Sequence, residues 1–573
     1  MSTPVRLDTT GSTDQTHRLS RGTLAAAAIA VCVAQVALAI PAVLNGLFQQ
    51  DLGTSSAQLT WISDAFLVPV TLLELTFGVL GDLFGRKRLL VSGTALLMVG
   101  QLISVLTPGA ASSTGTRVLI LWTGQILSGL GAAAIFPTSL AMVAAGTHTA
   151  RDRSRAISIW AAALSSGGFV SPVLGGWLAR YKFGSDEFAS WRWAFVAVIV
   201  LAAISTVVSA IWSHDSKAPA GRSLDWGGQV TIAVAMFALL YAVIQGPTSG
   251  WGSGGVIAGF ILAAVFLALF IAAELRSRAP LLRLDLFANR AFAIASIATV
   301  VGMFAYLGTA YATSIRLSAI QGFTPLKTSI AFLMLNALAL LMVPLTSRVL
   351  EHYNPRWTLG IGFTLIAGGD FWLTSLSASN LSVAPVVVPL LLVGAGFALA
   401  LSSVTAVAVN TVPNHLAGMA SGSTSMLRDF GFTLGPAVVG AIALSRAAAE
   451  ISNKVNSSPA LSKALAAFNG SAASAPAAQK PQLEAAIGAV NSGPLGANAV
   501  PGTVTLPNGQ TVPFNPLKDV AFHALDHAYS IGYLVCGLSA LAAALLAALG
   551  LGGRTHEAMI STESLAEDLT PVE

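Results

Sequence analysis

Five ionisable side chains stand inside long apolar stretches of this sequence: Asp64, Glu74, Asp370, Arg428 and Asp429. An ionisable group at membrane depth costs at least about 2.5 to 3.5 kcal/mol, so each is a candidate for work: carrying a proton, meeting a polar solute, or joining helices. A carboxyl shielded from water suits the first task. Glu74, deeper in its run, reads as a proton-coupling acid or as a hydrogen-bonded structural carboxyl. Asp64 reads as a cavity or gating acid, or as a rim residue paired with a base. Asp370, about 20 Å into its run, reads as a structural pair or lipid-facing neutral acid ahead of a solute contact. Arg428 fits helix packing with partial cavity exposure. Adjacent helical side chains point about 100° apart, so Arg428 and Asp429 are not expected to face one neighbour.

The stretches that carry these groups set the class of protein. Of 573 residues, 54% are hydrophobic and 10% charged, against roughly a quarter charged in soluble domains. The expected solvent is a lipid bilayer. Runs long enough to span it fall near 22–48, 58–80, 89–107, 118–146, 156–179, 193–213, 227–245, 254–274, 291–314, 327–347, 357–377, 384–408, 417–444 and 525–549. They predict an all-α membrane protein of 14 spans with both termini on one side. The first run, about 27 residues, exceeds a cleaved signal segment. Basic residues such as Arg86, Lys87, Arg88, Arg151, Arg153, Arg155 and Arg276 outnumber those of the opposite short loops, Arg117, Arg180, Lys182, Arg192, Arg316 and Lys327, by roughly threefold. That bias puts both termini in the cytoplasm; the membrane expected is the plasma membrane. The same loops account for the net charge of +5, so no nucleic-acid partner is expected. Cys32 and Cys536 lie in separate apolar runs and predict no disulfide framework.

One segment breaks the pattern. Residues 446–522 are rich in Ala, Ser, Asn, Pro and Gly, with a helix expected near 476–491 and a hairpin around Asn508-Gly509. They read as a partly ordered extracellular loop, or as a lid or docking site.

Two motifs give the chain its family likeness. Gly78, Asp82, Gly85, Arg86 and Lys87 resemble the signature Gly-x-Leu-x-Asp-Arg-x-Gly-Arg-Lys of the major facilitator superfamily, with Leu83 in place of the first Arg. Gly167, Ser171, Pro172, Gly175 and Gly176 resemble its exporter motif Gly-x-x-x-Gly-Pro-x-x-Gly-Gly, with Ser171 replacing a glycine; small residues so spaced also serve plain helix packing. Asp82 is expected to sit against a helix N-terminus. Trp191 to Phe195, Leu224 to Trp226, and Gln321, Gly322 and Pro325 look like the 14-span drug:proton antiporter branch, and Arg348 to Arg356 like a decayed second copy of the signature.

The resemblance implies a major facilitator fold: two six-helix bundles, 22–213 and 291–549, an inserted helix pair within 214–290, and polar tails at 1–21 and 550–573 expected to be disordered. It implies a monomeric secondary transporter that exports small amphipathic or hydrophobic compounds by alternating access, coupled to protons. The branch carries an acid in its first span and an Arg in its fourth; here those positions are the neutral Cys32 and Gln125. Cys32 and Gln125 remain cavity candidates, and coupling is expected to pass through Asp64 or Glu74. A facilitative or lipid-type carrier, and a transport-dead scaffold, are the alternatives. No enzyme, cofactor or metal is expected: His523 and His527 form a pair without a neighbouring Glu in sequence.

Overall fold

In hydrocarbon every backbone N–H and C=O must find its partner within the segment, and the apolar runs fold accordingly as α-helices. The computed structural model describes residues 20–147, 150–184, 188–217, 224–277, 280–342, 346, 355–410, 417–473, 475, 479–505 and 510–551. All but the inner two residues of each expected tail (1–21 and 550–573), the Asn508-Gly509 turn and Arg348 lie outside these residues.

The first half comprises α1 (Arg21–Ala39), α2 (Asn45–Leu52), α3 (Ser56–Phe84), α4 (Arg86–Val105), α5 (Thr114–Ala145), α6 (Ala150–Leu178) and α7 (Trp191–Trp212). Then come α8 (Trp226–Ser249) and α9 (Gly254–Arg276), followed by α10 (Arg290–Ser314), α11 (Pro325–Leu341), α12 (Pro355–Thr374), α13 (Ala384–Asn410) and α14 (Ala417–Ser457). Three short helices, α15 (Pro459–Gly470), α16 (Lys480–Asn491) and α17 (Pro494–Ala499), and the strands β1 (Thr503–Thr505) and β2 (Thr511–Pro513) precede α18 (Lys518–Gly550).

Among the described residues, 12 helices are long and apolar enough to cross a membrane. The expected runs at 327–347 and 357–377 fall short for different reasons. The first is described over the 17-residue α11, and residues 343–345 beyond it lie outside the described residues. The second, α12, is diluted by Arg356, Asp370 and glycines.

The packing repeats itself. In the first half α4 packs on α5 and α7, α3 on α5, and α1 on α6 and α7; in the second, α12 packs on α13 and α18, α11 on α13, and α10 on α14 and α18. Glycines sit at matching crossings. A Cβ on Gly124 would lie 2.6 Å from Gly100 O, and one on Gly362 2.8 Å from Gly396 O, so no larger residue fits either seam. The halves meet along α3 with α14 and α6 with α11, while α8 and α9 pack on each other and lean on α3 and α14.

At the end away from the start of α1, hereafter the far end, a carboxylate joins three helices, α2, α5 and α7. Asp51 Oδ1 accepts from Arg117 Nη2 at 2.5 Å; its Oδ2 accepts from Trp191 Nε1 at 2.7 Å and Arg192 Nη1 at 3.1 Å. Arg117 and Arg192, which read as loop charges in the sequence, are 3% and 5% exposed. Close by, Asn45 Nδ2 donates to Ser314 Oγ at 2.8 Å, tying the halves together.

The 446–522 segment is more ordered than its composition suggests. α14 runs on to Ser457, and β1 pairs antiparallel with β2, Val504 opposite Val512. Phe468, Val490, Ala497 and Leu517 form a small apolar core, and Asn498 Nδ2 donates to Ala319 O at 3.0 Å, fastening this cap to the end of α10.

Removing one partner of a buried ion pair strands the others. Asp51→Ala is therefore expected to destabilise the protein by about 3 to 5 kcal/mol, read as a lowered thermal midpoint in detergent; an unchanged midpoint contradicts the clamp.

Candidate functional site

Polar contacts join α3 to the second half at two depths. Thr60 Oγ1 and Tyr311 Oη of α10 are 2.7 Å apart near the far end, and in the α3–α14 seam Thr71 Oγ1 and Thr433 Oγ1 are 2.9 Å apart at mid-depth. One turn beyond Thr71 the seam becomes charged. Arg428 Nε donates to Asp429 Oδ1 at 2.7 Å, and Arg428 Nη2 lies 3.9 Å from Glu74 Oε2. Asp429 also interacts with Glu74. The expectation that Arg428 and Asp429 face different neighbours is thus corrected. The 100° separation holds for Cα–Cβ directions, but the long Arg428 stem curls back and brings its guanidinium over the adjacent carboxylate. The result is a triad with two acids and one base among the described residues, with Asp429 and Glu74 4% and 7% exposed.

Glu74 also forms part of the wall of a cavity of about 830 Å³ between α3, α5, α8, α9 and α14, on the α1-start side. Gln229 of α8 donates to Leu72 O at 2.7 Å and accepts from Thr76 Oγ1, so the inserted pair is bonded to the helix that carries Glu74.

The first signature closes the same end. Arg86 Nη2 and Nε bond Asp82 Oδ1 at 2.8 and 3.0 Å, and Arg86 Nη1 reaches Ala141 O at 3.3 Å, linking α3, α4 and α5. Gly85 turns the chain between helices at φ +113, and Asp215, after α7, accepts from the Lys87 N–H at 3.1 Å. The acid at the α4 N-terminus is therefore Asp215. Asp82 spends its charge on Arg86.

The exporter motif lines two seams at once. A Cβ on Gly167 would lie 2.5 Å from Cys32 O of α1, and one on Gly175 3.0 Å from Ile40 and Val43; a Cβ on Gly176 would lie 2.8 Å from Pro325 O of α11. Ser171 and its neighbour Pro172 fall between, with Ser171 fully buried. The motif seats α6 between its own half and the opposite one.

The remaining candidates are not gathered at the triad. Asp64 is fully buried, with neither oxygen hydrogen-bonded among the described residues, and interacts with Tyr311; it is no rim residue. Asp370 accepts from Thr309 Oγ1 at 2.6 Å inside the second half. Gln125 donates to Ser104 Oγ at 3.2 Å in the α4–α5 seam, while its Oε1 is buried without a hydrogen-bond partner among the described residues. Cys32 is a free, partly buried thiol on α1. His527 lies 3.0 Å from Glu450 of α14, and no group of three or more potential metal ligands occurs among the described residues.

Sequence reasoning missed Asp51, Asp215, Gln229 and Glu274. The last lines the cavity at 4% exposure; an acid closing the 254–274 run was the available signal.

A profile of the Major Facilitator Superfamily matches residues 25–436. The "Multidrug resistance protein Stp" of Mycobacterium tuberculosis is 32% identical over 394 residues, covering 69% of this chain and 70% of its own. The "Tetracenomycin C resistance and export protein" of Streptomyces glaucescens is 26% identical over 425 residues, 74% of this chain and 76% of its own. Among solved structures, the POT family transporter PepTSo superposes with TM-score 0.57 at 16% identity over 92% of this chain and 97% of that one, a shared fold.

A side chain at Gly85 meets both a left-handed backbone and Asp215 Oδ2 at 2.7 Å. Gly85→Ala is expected to lose about 1 to 3 kcal/mol in detergent unfolding; wild-type stability in that variant contradicts the tight turn.

Proposed function

The chain belongs to the major facilitator superfamily, and from that premise we propose that it exports small amphipathic or hydrophobic compounds across the plasma membrane by alternating access, exchanging them for protons at Glu74. Its relatives Stp and the tetracenomycin C protein carry resistance and export in their names. We read the chain as 14 spans: α1 with α3 to α7, and α10 to α14 with α18, as the two six-helix bundles, with α8 and α9 as the inserted pair and both termini cytoplasmic. In this reading it is a monomer.

The observation that carries the proposal is the charge count of the triad. Glu74 and Asp429 bring two negative charges to one Arg428, on helices from opposite halves. A buried net charge is unfavourable, and one proton on Glu74 balances it. That proton also removes the attraction between Glu74 and Arg428 across the α3–α14 seam, so protonation and the separation of the halves are linked. The first signature then acts as a latch at the cytoplasmic end, and the small faces of α6 allow it to slide against α1 and α11. The neutral Cys32 and Gln125 favour one second reading, a facilitative or lipid-type carrier without strict proton antiport.

Everted vesicles separate the two. One unit of imposed pH difference is worth about 1.4 kcal/mol per proton, enough for about tenfold accumulation at one proton per solute. Wild type is expected to accumulate compounds from an amphipathic panel in proportion to that gradient. Glu74→Gln is expected to transport down a concentration gradient only, with no response to pH; a retained response discards Glu74 as the coupling acid. Asp82→Ala is expected to reach the membrane in normal amount and to lose most of its flux, since Arg86 loses its carboxylate; normal flux there rejects the latch.

A further inference from the structure

The cavity beside the triad holds two carboxylates that the triad does not use. Glu274, on the last turn of α9, is 4% exposed; its Oε2 accepts from the Leu282 N–H at 3.1 Å, and its Oε1 has no hydrogen-bond partner among the described residues. Asp225 caps α8, its Oδ1 accepting from the Gly228 N–H at 2.8 Å, and its Oδ2 is likewise buried and without a partner there. The two free oxygens converge over one residue. A Cβ on Gly228 would overlap Glu274 Oε1 and lie 3.0 Å from Asp225 Oδ2, so glycine keeps open the space into which both point.

The surroundings define what fits. The cavity's two described arginines are engaged, Arg86 with Asp82 and Arg283 with Asp285. Its wall is otherwise largely apolar, with Leu140 and Ala141 on one side and Leu281 and Leu284 on the other. Trp226 and Leu275, 64% and 72% exposed, form an outer lip on the inserted pair, and tryptophan is a residue of the bilayer interface. Ionised carboxylates are acceptors only, and a buried acceptor calls for a donor. An ammonium supplies donors and the missing charge together, in the short charge-assisted bonds that carboxylates make best. An anion is repelled, and a neutral apolar body leaves both oxygens unpaired.

We propose that α8 and α9 build a membrane-facing binding site for a primary or secondary ammonium carried on an apolar body, held by Glu274 Oε1 and Asp225 Oδ2. The site deepens the export reading and rests on it only for the fate of the ligand, since binding needs no gradient. The ammonium comes either from a free amphiphilic amine or from an aminophospholipid headgroup.

The test is equilibrium binding to the full chain in phosphatidylcholine nanodiscs, with empty discs subtracted. The probes are 9-aminoacridine, a planar cation with N–H donors at neutral pH, and acridine, its neutral counterpart. Wild type is expected to bind the cation at least about tenfold more tightly, and Glu274→Gln to bring the two within about twofold of each other. Equal wild-type affinities for the two probes overturn the site, and that comparison stands even if the variant fails to fold. A preference that survives Glu274→Gln in a folded protein also overturns it. Replacing part of the phosphatidylcholine by phosphatidylethanolamine assigns the source: weakened cation binding identifies the headgroup as occupant, and unchanged binding identifies the free amine. A loss of pH response in the flux experiment without loss of this preference, or the reverse, tells which of the two readings has failed.

Discussion

Arg428 is shared by two carboxylates, and the rest of the molecule is arranged around that imbalance. Charges in a low-dielectric interior persist only where partners compensate them, and here the compensation is incomplete by one unit among the described residues. The partners come from α3 and α14, the helices through which the halves touch on one side. Whatever changes the charge on Glu74 therefore changes the force between the halves. The hydroxyl pairs that α3 makes with the second half, Thr71 with Thr433 of α14 and Thr60 with Tyr311 of α10, are neutral and hold equally well with Glu74 protonated or not. The triad, by contrast, changes with the proton on Glu74.

The architecture makes that sensitivity useful because the remaining contacts are rigid or smooth. Within each half, glycine crossings such as Gly100 with Gly124 and Gly362 with Gly396 bring backbones into close contact, which suits each half to act as one body in the proposed cycle. Between halves, Gly176 against Pro325 presents a small-residue face that can shift without unpacking large side chains. The far end is different. Asp51 binds Arg117, Trp191 and Arg192 into one buried cluster inside the first half, and the cap formed by residues 458–517 is fastened to the end of α10. The two ends are thus built on different principles, a shared charge at one and a saturated clamp at the other.

Most of the fold was legible because hydrophobicity and small-residue spacing are local signals. The apolar runs, the turn at Gly85 and the packing face of Gly167 and Gly176 all lie within a few residues of the sequence that specifies them. The candidate site was legible in part: Glu74 stood out as an acid at membrane depth. Its partner geometry did not, since a rule about Cβ directions says nothing of where a flexible guanidinium ends. Asp51 was hidden for another reason. Its partners lie 66 and 141 residues away, and basic residues at a helix end look the same in sequence whether buried or solvated. Glu274 and Asp215 sat at the margins of runs, where an acid is unremarkable until a neighbouring loop covers it. The cap misled through composition: Ala, Ser and Gly suggest a loose loop, yet Phe468, Val490 and Leu517 are enough to gather it.

The central claim is mechanical, that the charge on Glu74 sets the distance between the halves at the end where the chain begins. Spin labels at Phe84, the exposed end of α3, and Leu549, near the end of α18, in a background with Cys32 and Cys536 replaced, report that distance by pulsed electron resonance. The account predicts a distribution that lengthens as pH falls, and a Glu74→Gln variant already at the longer distance at every pH. A wild-type distribution that does not move with pH, or a Glu74→Gln variant that still moves, contradicts it.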